Sequence, residues 1–71
     1  MEYQVQWENI LKNVQARHPD IYKKTGDFAD HIIFFFSQEK QSWKLEYRDE
    51  RTIPMKIRKE IYKEVRQLLG F

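Results

Sequence analysis

The chain has 71 residues, 41% hydrophobic and 34% charged, with no cysteine and a formal net charge of +2. A chain this short buries only about 60% of its unfolded surface, so one small globular domain over 1–71 is expected, with little interior left for a substrate pocket. Neither a disulfide framework nor a thiolate metal site is available, and an enzyme acting on a small-molecule substrate is not expected. The longest apolar run, Ile32 to Phe36, is far short of the roughly 20 residues of a membrane-spanning helix. The N-terminal MEYQVQWENI lacks the cations and hydrophobic stretch of a cleaved signal. The expectation is a cytoplasmic protein with no membrane partner.

Tyr3, Trp7, Ile10, Leu11 and Val14 recur at helical spacing, which predicts a first helix from Tyr3 to Arg17. Tyr3, Val5 and Trp7 also alternate with Gln4 and Gln6, so a short strand ahead of a helix from Glu8 is the competing reading. His18-Pro19 ends the helix, because the residue before proline is pushed out of the helical region. Asp20 to Thr25 fits one further turn, with Gly26 as a left-handed stop.

In HIIFFFSQEKQSWKLEYR, β-branched and aromatic residues dominate two arms around a polar centre, predicting a β-hairpin. With Ser37 opposite Ser42, Phe36 faces Trp43, Phe34 faces Leu45 and Ile32 faces Tyr47, making one face wholly apolar. A slip of one residue would set aromatics against charges. The other face pairs Phe35 with Lys44, Ile33 with Glu46 and His31 with Arg48. A helix over Phe28 to Phe36 is the alternative, since Phe28, Ile32 and Phe35 share a helical face.

Pro54 marks the start of a last helix, with Thr52 as a nearby cap and Ile57, Ile61, Val65 and Leu68 along one face. Tyr62 and Leu69 widen that stripe. Gly70 suits the left-handed position after the helix, with Phe71 folding back on Val65. This stop coincides with the last residues, so a complete domain is expected. Both helices should pack on the apolar hairpin face, giving an α+β fold: a two-layer α-β-β-α sandwich in which an antiparallel hairpin lies against an N-terminal and a C-terminal helix.

Catalytic and metal patterns are weak. His18 and His31 with Asp20, Asp27 and Asp30 have no metal-ligand spacing, and Asp20 with Glu46, Tyr47 and Arg48 only loosely resembles a nuclease carboxylate set. Glycine-rich phosphate loops and nucleophile elbows are missing. No catalytic residue, cofactor or metal is therefore assigned.

Two surfaces point to binding. Ile33 and Phe35 fall on the face opposite the helices, where with Lys44 they form an apolar patch for a partner protein or a second copy of the chain. The segment after Pro54 carries Lys56, Arg58, Lys59, Lys63 and Arg66 against Glu60 and Glu64. Lys56, Lys59, Lys63 and Arg66 lie within about 80° of helical arc, opposite the apolar stripe. Cations in a first helical turn oppose the macrodipole, so a negative group is expected nearby, either Asp49 and Glu50 or a bound phosphate. Glu60 would pair with Lys56 and Lys63 along the helix. Arg58 falls among the apolar positions, which suggests a stem lying over the core edge and a partner such as Asp49. The leading expectation is a small non-enzymatic protein acting through protein–protein contact at Ile33, Phe35 and Lys44. The alternative is a nucleic-acid-binding module using Lys44, Arg48, Lys56, Lys59, Lys63 and Arg66.

Overall fold

A computed structural model describes residues 3–49 and 51–70. The chain runs through α1 (Tyr3–Arg17), α2 (Pro19–Thr25), a 3-10 turn (Phe28–Asp30), β1 (Ile32–Ser37), β2 (Ser42–Tyr47) and α3 (Met55–Leu69). The α+β class and the helix-strand-strand-helix order agree with the expectation. None of the described helices is long and apolar enough to cross a membrane.

Helical spacing prevails over the strand reading at the N-terminus. Trp7, Leu11 and Val14 turn inward on α1, while Val5, on which the strand depended, is exposed. Pro19 opens α2 and His18 takes an extended φ of −130°, which separates the two helices. Gly26 has φ +76° but ψ −160°, so it is not the helical left-handed stop expected. The extended ψ turns the chain back under α1, where the Phe28 N–H donates to Gln15 Oε1 at 2.8 Å. Phe28 is thereby fully buried. It belongs to a turn of three residues, and the helix read over Phe28 to Phe36 does not form.

The strands pair antiparallel as expected: Ile32 with Tyr47, Phe34 with Leu45, Phe36 with Trp43 and Ser37 with Ser42. Gln41 closes the turn at φ +50°, and the Lys40 N–H donates to Ser37 Oγ. α1 lies over β1, with Tyr3 against Phe36 at 4.7 Å and Trp7 stacked on Phe34 at 5.1 Å between ring centroids. α3 lies along β2, where Tyr62 meets Trp43 at 4.9 Å.

The hairpin is less deeply covered than its apolar face suggests. Only Ile32 of the six expected residues is buried, and Phe34, Phe36, Trp43, Leu45 and Tyr47 pack at the core margin. The core centres instead on the Ile32 end, where Phe28 and Ile53 enter from the connections and close the gap between helices and sheet. On α3 the buried stripe is Ile57, Ile61, Val65 and Leu69. Leu68 is only partly buried and Tyr62 is exposed, so the stripe turns toward Leu69. Pro54 is the N-cap and no described side chain caps the helix, which removes Thr52 from that role. Gly70 adopts the left-handed conformation with φ +77° and ψ 5°, and its N–H donates to the Arg66 carbonyl. The contacts expected of Phe71 and Glu50 lie outside the described residues.

Candidate functional site: a basic, aromatic groove beside β2

The alternation of β2 places Trp43, Leu45 and Tyr47 on the helix side and Lys44 and Glu46 on the outer side. α3 runs beside that strand without closing on it. The result is an open groove of about 380 Å³, bounded by Trp43, Leu45 and Tyr47 on one side and Met55, Lys59 and Tyr62 on the other. Lys44 and Arg58 also reach it. Arg66 joins Trp43 and Tyr62 in the adjoining depression. Neither depression has a carboxylate among its described lining residues.

Arg58 shows why a cation can occupy an apolar sector of the helix. Its guanidinium carbon sits 4.4 Å from the Tyr47 ring centroid, and Nε donates to the Ile53 carbonyl at 2.9 Å. The stem thus lies over the core edge as expected, with an aromatic face and a carbonyl holding the head. Burial pushes the Tyr47 phenol above its ordinary value, and the charge of Arg58 opposes that rise. The Tyr47 hydroxyl is buried with no hydrogen-bond partner among the described residues.

The close ion pairs of the α3 acids are made with the end of α1 rather than with the cations of α3. Arg17 contacts Glu60 at 2.9 Å and Glu64 at 2.6 Å, and His18 Nε2 lies 2.8 Å from Glu60 Oε2. This corrects the expected pairing of Glu60 with Lys56 and Lys63, because the end of α1 arrives on that side of α3. Lys56, Lys59, Lys63 and Arg66 are exposed. None has a carboxylate partner within 4.0 Å among the described residues. No acid lies in the first turn of α3, and Asp49 Oδ1 accepts the Arg51 N–H at 2.9 Å.

Ile33 and Phe35 do lie together on the outer face, 37% and 42% exposed. Lys44 shares that face, its ammonium 5.0 Å from the Phe35 ring centroid and 3.1 Å from Glu46 Oε1. The structure therefore gathers Ile33, Phe35 and Lys44. Of the nucleic-acid set it brings Lys44, Lys59 and Arg66 to the groove region, with Lys56 and Lys63 farther round α3 and Arg48 beyond the end of β2. Met55 and Tyr62, at 61% and 52% exposure, are groove residues that the sequence reading misses: it gives Met55 no role and assigns Tyr62 to the apolar stripe. Their position at the border between cations and apolar stripe was the available signal. The histidines serve local contacts: His18 meets Glu60, and His31 Nε2 lies 2.6 Å from the Thr25 carbonyl oxygen. Among the described residues no cluster of three or more His, Asp or Glu could hold a metal. No family model, curated protein or solved structure matches the chain.

Proposed function

We propose that this protein is a small, non-enzymatic, cytoplasmic binding module that works through protein–protein contact, with the groove between β2 and α3 as its principal surface. The observation that carries this reading is the composition of the groove: aromatic and apolar walls, Met55 and Tyr62 left exposed, and cations with no carboxylate among the described lining residues. Recognition pockets combine an apolar surface with a few oriented polar groups in this way. The Ile33/Phe35 face is the secondary surface, since Lys44 already lies over the Phe35 ring.

Selection of a displayed random peptide library against the chain tests the reading. Binders are expected to enrich and to lose affinity for Tyr62→Ala and Met55→Ser. No enrichment, or binders indifferent to both substitutions, would refute it.

A second reading, nucleic-acid binding along Lys56, Lys59, Lys63 and Arg66 with Lys44 and Arg48, draws support from one observation. Glu60 and Glu64, which would repel a phosphate backbone, are turned toward Arg17 and His18.

A further inference from the structure

We infer that the groove takes an extended acidic segment of a partner protein, which adds to the outer edge of β2 as a third strand. This rests on the groove being the binding surface and goes further by fixing the backbone geometry of the occupant.

The hydrogen-bond phase of the hairpin supplies the first argument. The Arg48 N–H donates to the His31 carbonyl at 2.9 Å, so residues 31 and 48 form a hydrogen-bonded pair. In an antiparallel ladder such pairs alternate with non-bonded ones. Ile33 with Glu46 and Phe35 with Lys44 are then bonded pairs, and the backbone N–H and C=O groups of Leu45 and Tyr47 point away from β1. Among the described residues the sheet has two strands, and none of those residues bonds to these groups of Leu45 and Tyr47. An edge of this kind is a template for another strand.

The second argument is what surrounds that edge. Leu45 and Tyr47 line the groove themselves, so a strand paired to them would turn alternate side chains toward Met55 and Tyr62. Apolar residues suit those positions. The remaining side chains would stand near Lys44, and the flanks of the segment near Lys59 and Arg66. Lys44 and Glu46 pair with each other at 3.1 Å on that face, so the charge beside the groove that no described carboxylate offsets is that of Lys59 and Arg66. The charge complement of this rim is acidic.

The aromatic rings favour a peptide over a nucleic-acid strand. Trp43 and Tyr62 pack on each other, and Arg58 occupies a face of Tyr47, which reduces the open faces on which bases would stack. An unpaired edge of alternating N–H and C=O groups matches the alternating groups of a polypeptide strand, whereas a phosphate backbone can accept from the N–H groups but has no N–H to give the carbonyls.

The probe is a synthetic peptide alternating glutamate with valine and phenylalanine, compared with the same peptide N-methylated on the residues that would face β2. Oligothymidylate serves as the third ligand. The expected result is slower hydrogen exchange at the Leu45 and Tyr47 amides with the first peptide. N-methylation should abolish binding, and Lys59→Glu, which should melt like wild type, should weaken it about tenfold or more. Shifts at Met55 and Tyr62 without amide protection, with the N-methylated peptide binding equally well, would overturn strand addition while leaving the groove as the binding surface. No shift with any ligand would overturn both. Shifts with oligothymidylate alone would overturn the peptide assignment in favour of nucleic acid.

Discussion

His18 Nε2 and Glu60 Oε2 meet at 2.8 Å, joining the break between α1 and α2 to α3. Arg17 adds a second contact to the same carboxylate at 2.9 Å. Glu60 is held below its ordinary value of 4.5, first by the His18 hydrogen bond and then, against a smaller upward push from burial, by the charges of Arg17, His18 and Lys56. A carboxylate depressed in the folded state contributes stability that is fully present above its unfolded value and is lost as the pH falls through the folded one. Glu60→Gln should therefore be less stable than wild type near neutrality, with the two converging below pH 4.5. Urea midpoints at several pH values measure this. Parallel curves for the two proteins would mean that the ionised form of Glu60 contributes nothing to folding.

Phe28, at 0% exposure, is the side chain whose loss should be felt most. Phe28→Ala should cost about 3–5 kcal/mol, the usual range for emptying a phenylalanine site that cannot collapse. Phe34→Ala should cost less, because Phe34 lies at the core margin. Thermal or urea unfolding of the two variants gives the order directly, and the reverse order would place the core nearer the hairpin turn.

The contrast between those phenylalanines shows what the sequence made legible. Strand register followed from the alternation of Phe34, Phe36, Trp43 and Leu45, because a slip would expose a whole face. Phe28 and Ile53 enter the core from connecting segments, where helical spacing misleads: Ile53 continues the four-residue spacing of α3 but lies before Pro54, and Phe28 shares a face with Ile32 and Phe35 only in a helix that does not form. The cationic sector of α3 was readable from angle alone. That Glu60 and Glu64 would be drawn off by Arg17 depends on where α1 arrives, which no local pattern encodes. The groove is a gap between β2 and α3, so it appears only when their packing is known.

Phe35→Lys should keep the fold but melt below wild type, by more than the ~0.5 kcal/mol usual at surface positions, because it loses the contact with Lys44 and sets two lysines opposite each other across the strands. Phe35 is 42% exposed and faces away from both helices. If the outer face mediates self-association, wild type should gain mass across a concentration series in the ultracentrifuge and the variant should remain a monomer. Identical masses at every concentration would remove self-association through this face.

Lys59 and Lys63 decide between the protein and nucleic-acid readings. Both are exposed on α3, and neither has a carboxylate partner among the described residues. Phosphate contacts release counterions, giving a log–log salt slope near −0.9 per phosphate for duplex and about −0.7 for single strands. If the ridge holds nucleic acid, the double variant Lys59→Gln, Lys63→Gln should flatten that slope and weaken binding without regard to sequence. The expected outcome is the contrary one. Even at low salt no oligonucleotide should bind tighter than the non-specific range of about 10⁻⁴ to 10⁻⁶ M, and the double variant should melt where wild type does. A steep slope that the double substitution flattens would transfer the function to the ridge, because a solvated cationic face alone cannot produce tight binding that responds to those two lysines.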